Sequence, residues 1–244
     1  MTGPKILVLG ATGPSGICLL RELLYRNHQT VAYVRNPTKI PADLAANPLL
    51  EVIQGQMDDT EKLETAVAQS STVLSLLGPN VMRFPEPSPF PGYYSAGVLP
   101  LMRKHGVRRI LAMSTISLSD PQDGFSLLRW LMVQLVHLAA GAAYRTMLGI
   151  GAVFSDAEAT RDIDWTVYRI AFIPGGDDEA SWKKDREDGE VFAGYVAQPG
   201  WRILLRRAAM ARWLVDAAES GAREWVGKMP AISKKAGGGH SKTS

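Results

Sequence analysis

Apolar residues along the chain gather into short unbroken runs separated by stretches with helical spacing. Residues 6–9 (ILVL), 30–34 (TVAYV), 51–54 (EVIQ), 72–77 (TVLSLL), 109–113 (RILAM) and 164–169 (DWTVYR) read as six strands. Runs without polar alternation suit strands covered on both faces, as in a parallel sheet. Between them, residues 14–24, 60–69 and 93–105 carry the spacing of amphipathic helices, the last stopped at Gly106. This alternation predicts an α/β fold, a single Rossmann-type domain doubly wound around a parallel sheet. Farther on, 203–205 reads as a short strand, 207–219 as an amphipathic helix ending near Gly221, and 224–229 as the last strand. The domain is expected over residues 1–233. Residues 234–244 (KKAGGGHSKTS) hold no apolar residue but alanine and predict a disordered tail.

Three stretches interrupt the pattern. Residues 84–91 (FPEPSPFP) place four prolines in eight positions, which excludes a helix interior or a central strand. A stiff loop is expected there, either a wall over the strand ends or a plain connection. Residues 127–153 are nearly free of charge between Arg129 and Arg145, an apolar helical insert after the fifth strand, at about 125–153. Gln134 and His137 break it short of the roughly 20 continuous apolar residues of a membrane span. The expectation is a buried helix serving as a substrate lid or a homodimer face, with His137 a partnered core or interface residue. A helix resting weakly on a membrane surface is the alternative, disfavoured by the missing basic face. The charge-dense run 177–190 reads as a solvated excursion bordering the substrate mouth.

The first strand leads directly into Gly10-Ala11-Thr12-Gly13-Pro14-Ser15-Gly16. Glycines suit a tight turn there and let a diphosphate approach the backbone, while the helix opening at Pro14 presents unpaired N–H groups and its positive dipole end. A dinucleotide is the ligand this arrangement favours. About twenty residues beyond the turn, the second strand ends on Arg35, followed by Asn36 and Lys39, where an NAD-preferring site would carry Asp or Glu. A guanidinium pairs well with a phosphate, so NADP(H) is the expected cofactor.

Residues following the other strands are expected on the same rim. Gly55, Gln56, Met57 and Asp58 would flank the adenine, and Leu77, Gly78, Pro79 and Asn80 follow the fourth strand, where Gly78 would let the backbone approach the cofactor. Ser114 and Thr115 offer hydroxyls at the nicotinamide end, and Arg169, Ile170 and Phe172 follow the sixth strand. Tyr144 and Asp156 are candidate proton donors.

Composition narrows the setting. The 244 residues carry a net charge of +3 and one cysteine, Cys18 in the first helix. An intrachain disulfide is therefore impossible, and with no basic-then-apolar leader visible a reducing, cytoplasmic setting is expected. Nucleic-acid binding gets no support from so small a charge excess, part of it in the tail. A small molecule is the expected partner.

Taken together, the GATGPSG turn, Arg35, the RRILAMST strand and DWTVYR resemble the atypical short-chain dehydrogenase/reductases, and within them the NmrA-like and flavin reductase/biliverdin-IX-beta reductase-like branch. The resemblance implies NADP(H) held on Gly10, Thr12, Gly13, Pro14, Ser15, Gly16 and Arg35, with Ser114 and Thr115 beside the nicotinamide. It departs from the family pattern at Gln56, where an Asp is usual, at Ile170, where proline usually follows the arginine, and at Asp156, near a basic position of biliverdin-reductase-like relatives. The Tyr-x-x-x-Lys pair is absent: Leu148, Gly97 and Phe172 lie four residues beyond Tyr144, Tyr93 and Tyr168. The expected activity is NADPH-dependent reduction of a sizeable apolar or conjugated molecule. A redox-neutral isomerase, cyclase or dehydratase and a non-catalytic NmrA-like sensor are the alternatives.

Overall fold

The computed structural model describes residues 5–79 and 86–236. The expectations for Asn80 and for the start of the proline-rich stretch, Phe84 and Pro85, lie outside these residues, as does the tail from 237 onward. The strands are β1 (Lys5–Leu9), β2 (Thr30–Val34), β3 (Leu50–Gln54), β4 (Ser70–Ser75), β5 (Arg109–Thr115), β6 (Asp164–Ile170), β7 (Val191–Gly194) and β8 (Ala231–Lys234). They form one sheet in the order β3-β2-β1-β4-β5-β6-β8-β7, parallel except for β7, which runs antiparallel to β8. The reversal of strand order between β1 and β4 opens a crevice at their carboxyl ends, where open α/β sheets bind ligands.

The helices are α1 (Pro14–Tyr25), α2 (Ala42–Ala45), α3 (Thr60–Ala68), α4 (Phe90–Gly92), α5 (Leu99–Lys104), α6 (Leu127–Ala139), α7 (Gly141–Ser155), α8 (Glu179–Asp185) and α9 (Arg207–Ser220). A π-helical turn, Tyr93–Val98, joins α4 to α5. Alternate residues of each strand serve opposite layers, because successive side chains leave a strand on opposite faces. Ile6, Val8, Ala32 and Val34 pack under α1 and α9, whereas Leu7, Leu9, Val31 and Val73 pack under α3, α5 and α7. Both layers hold completely buried leucines, Leu19 and Leu20 in one and Leu7 and Leu9 in the other. Cutting any of these to alanine removes transfer energy and leaves a cavity, together about 2–5 kcal/mol. Cys18 sits in the first layer, fully buried, and burial pushes its thiol up to about 12, so it is packing rather than chemistry.

Several expectations need correction. The last strand is Ala231–Lys234, not 224–229, where a short 3-10 turn (Arg223–Trp225) stands instead. Lys234, expected in a disordered tail, pairs with Val191 across β7, and the Lys235 amide donates to the Glu190 carbonyl. Residues 203–205 reduce to a single bridge between Phe172 and Leu204. The excursion 177–190 contains α8, capped by the Asp178 side chain, and anchors itself by burying Trp182.

The apolar insert departs furthest from expectation. None of the residues of α6 is buried, and Leu135 and Leu138 are 66% and 85% exposed. Among the described residues no single helix is long and apolar enough to cross a membrane; α6 and α7 meet that test only as a pair, and they are bent by 115°.

Candidate cofactor and substrate site

The site is built around the turn between β1 and α1. Gly10 holds φ +80, and a Cβ there would lie 2.9 Å from the Leu76 carbonyl oxygen. At Gly16 a Cβ would come within 2.3 Å of the Gly10 carbonyl oxygen, so this residue lets α1 seat against the turn. Gly13 differs. Its backbone is extended, and its nearest neighbour to a Cβ is the Gly10 oxygen at 3.8 Å, so the chain itself does not require glycine there. What its missing side chain leaves open is the space in front of α1. No side chain caps that helix and no acidic residue occupies its first turn, so its leading N–H groups face outward for an anion.

Two adjoining cavities flank the turn and share Gly10, Gly13, Leu76, Gly78 and Pro79. The larger, about 430 Å³, runs past Thr12 toward the end of β2. Arg35 stands at its mouth, and Gln56, Met57, Leu77 and Phe90 complete its walls. The hydroxyl of Tyr33 donates to the Gln56 carbonyl at 2.6 Å and fixes that wall; burial pushes its pKa up to about 12, so it stays protonated. The shape and chemistry suit an adenosine half, with apolar faces for a base and a guanidinium at the open end.

The second cavity, about 300 Å³, lies on the other side of the turn. Pro14, Ser15 and Gly16 form its floor, and Met113, Met147, Ile170 and Ile173 its apolar walls. Four hydroxyls line it, from Ser15, Thr115, Ser117 and Tyr144, that of Ser15 accepting from Arg207 Nε at 3.2 Å, while Val136 and Ala143 bring in the ends of α6 and α7. Among the described residues no carboxylate, lysine or histidine lines it. The His137 ring packs against that of Tyr144 with centroids 4.8 Å apart.

Of the candidate residues, Gly10, Thr12, Gly13, Pro14, Ser15, Gly16, Arg35, Gly55, Gln56, Met57, Leu77, Gly78, Pro79, Thr115, Tyr144 and Ile170 are thus brought together. The other described candidates are not. Ser114 is buried with its hydroxyl donating to the Met147 carbonyl at 3.3 Å, because neighbouring strand residues face opposite ways and Thr115 takes the cavity side. Asp156 ends α7 away from both cavities, its carboxylate accepting from the Glu158 and Ala159 amides. Asn36 caps its own turn by accepting from the Thr38 amide, and Lys39 is exposed beyond it. Phe172 is 58% exposed and lines neither cavity.

Arg169 is the most informative correction. It is completely buried and forms a fork with Asp123, at 2.6 and 2.8 Å, while also donating to the carbonyls of Met229 and Leu118. Asp123 in turn accepts from the backbone amides of Asp120 and Val196. The pair ties the loop after β5 to β6 and to the segments flanking β7 and β8. It holds the rim together from behind and touches no ligand space.

Sequence reasoning missed Met113, Ser117 and Met147. Period-two alternation from Thr115 would have reached Met113 and Ser117; nothing in the sequence marked Met147, which arrives from α7.

A family profile described as NAD(P)H-binding matches residues 10–220. Among solved structures, a short-chain dehydrogenase/reductase from Veillonella parvula, in complex with NADP, superposes with a TM-score of 0.71 at 16% identity, over 95% of this chain and 94% of that one. ChuY from Escherichia coli, an anaerobillin reductase, superposes at 0.68 and 16% identity, over 94% and 97%. A Rossmann-fold NAD(P)-binding family protein from Shigella flexneri does so at 0.63 and 14%, over 96% and 97%. At such identities these likenesses speak for the fold, whereas the profile spans most of the chain, from the glycine turn to the end of α9. The chain belongs to the NAD(P)H-binding family.

Proposed function

We propose that this protein is an NADPH-dependent reductase of a sizeable, apolar or conjugated small molecule. The observation that carries the reading is the cavity beside the glycine turn: Leu76, Met113, Met147, Ile170 and Ile173 wall it, and among the described residues its side-chain hydrogen-bonding groups are the hydroxyls of Ser15, Thr115, Ser117 and Tyr144. Such a surface rewards a flat or greasy substrate by burial and fixes its orientation through one oxygen. The NADP complex of the Veillonella relative and the reductase activity of ChuY agree with this reading.

When bound, the nicotinamide supplies the hydride. The chain's residues orient the partners. The N–H groups opening α1 would hold the diphosphate and Arg35 the 2′-phosphate, and Met113 and Met147 would keep water out of the adjoining cavity. Thr115 and Ser117 hold the substrate oxygen, and Tyr144 is, among the described residues, the phenol lining this cavity that delivers a proton to it. In this reading its hydroxyl serves as the general acid.

Two substitutions separate these roles. Arg35→Asp is expected to weaken NADPH binding by tenfold or more and to bring NADH level with it or ahead, read by titration with each cofactor. Tyr144→Phe is expected to lower kcat by roughly 100-fold while leaving NADPH affinity unchanged. The reading itself is tested by following reduced-nicotinamide absorbance with a panel of enones, quinones, flavins and linear tetrapyrroles. Steady substrate-dependent consumption is the expected result. A redox-neutral isomerase or dehydratase, which the missing acid–base pair favours, would give product with no consumption.

A further inference from the structure

The outer face of α6 belongs to neither cavity. It carries Leu127, Leu128, Trp130, Leu131, Leu135 and Leu138, with Phe125 just before it at 83% exposed. Roughly 1,000 Å² of apolar surface stands open there, more than the few hundred Å² typical of a monomer's largest patch and near the about 800 Å² each partner gives to a standard interface. We infer that this face pairs with the same face of a second copy of the chain, antiparallel about a two-fold axis, forming a homodimer whose joined α6 helices pin the wall of each substrate cavity.

Spacing identifies the occupant. Leu128, Leu131, Leu135 and Leu138 follow one another at intervals of three, four and three residues, the seam by which two helices interlock knobs into holes. That series reads the same in both directions. An antiparallel copy therefore sets Leu128 against Leu138 and Leu131 against Leu135, every leucine meeting a leucine, as an isologous interface requires.

Charge argues against a lipid surface. Arg129, the one cation of α6, is turned inward: its guanidinium donates to the carbonyls of Ile116 and Leu118 and the hydroxyl of Ser119, and it lies 3.5 Å from Asp123. The outer face thus offers nothing to anionic headgroups, where interfacial helices present a basic flank. Charged residues are also what a solvated helix face would need, and Gln134 and His137 are its only polar groups.

The consequence for the site is direct. Val136, on the same helix, lines the substrate cavity, and His137 packs on Tyr144. A joined pair of helices fixes both.

Sedimentation velocity on the full chain, in buffer without detergent, is expected to give about twice the 26.6 kDa chain mass. Leu131→Glu combined with Leu135→Glu should return the mass to one chain with NADPH affinity unchanged, which shows the fold intact. Cysteine pairing then tests the geometry, since buried Cys18 does not compete. Mixed Leu128→Cys and Leu138→Cys chains should cross-link to each other, and neither should cross-link with itself, because the two positions lie about 15 Å apart along the helix. A monomeric parent at 100 µM, a dimer indifferent to the glutamates, self-cross-linking of either cysteine variant, or a monomer that pelts down with neutral phosphatidylcholine vesicles overturns the inference. None of these outcomes depends on which reaction the site performs.

Discussion

Replacing Gly13 by valine is expected to weaken NADPH binding by about 100-fold or more while the variant unfolds at the parent's temperature. Backbone conformation permits the change: Gly13 is extended, with φ −78 and ψ 162, and a Cβ has 3.8 Å to its nearest neighbour. Nothing in the chain resists a Cβ at this extended position, so the fold is expected to tolerate a side chain that points out of the turn. The space it fills is the approach to the N–H groups of α1, where the diphosphate must come close to the backbone. Losing that approach costs about 2.7 kcal/mol for each hundredfold. Gly16→Val is the counterpart, since its Cβ meets the Gly10 oxygen at 2.3 Å and should unfold the turn itself. Thermal unfolding and cofactor titration on both variants separate the two roles.

The second large effect lies behind the rim. Asp123→Ala leaves the Arg169 guanidinium buried and uncompensated, and breaking such a pair costs about 3–5 kcal/mol. For a chain of this size that corresponds to roughly 10 °C in melting temperature. The molecules that remain folded should bind NADPH as the parent does, which distinguishes a structural arginine from a cofactor ligand. The pair also sets an acid dependence. Burial pushes the Asp123 carboxyl up, but the hydrogen bonds and charge of Arg169 outweigh it and hold the pKa below the ordinary range. A lowered folded-state pKa stabilises the protein in full above the unfolded value, about 3.9, and that stability is lost as pH falls through the folded value. Denaturant midpoints of the parent should therefore fall steeply below about pH 4, and the Asp123→Ala variant should lack this component.

Much of the architecture is legible in the sequence because buried parallel strands write themselves as apolar runs. TVAYV and RILAM needed no tertiary information to be read as strands. The glycine turn is equally legible, since a Cβ on Gly16 would meet Gly10 and Ala11 a few residues away and Gly10 holds a φ of +80 that favours glycine. Arg169 was misread for the opposite reason. Its partner, Asp123, lies 46 residues away, and a strand-end arginine looks the same in sequence whether it faces a phosphate or the core. Ser114 was a lapse of periodicity, for adjacent strand residues cannot both face one cavity. At the edge of the sheet, β7 and β8 are four residues each, and β8 carries Ser233 and Lys234, so their pairing outweighs a weak local signal. The helix α6 reads as apolar correctly, but composition says only that something should cover it, not whether this chain does.

The proposed reduction requires a dinucleotide bound across the glycine turn with its 2′-phosphate on Arg35. Titrating the full chain with NADPH and with NADH, followed by nicotinamide fluorescence, tests this most directly. Saturable NADPH binding at least tenfold tighter than NADH is the predicted result. Equal affinities would remove Arg35 from the site, and no saturable binding of either nucleotide would contradict the account at its root.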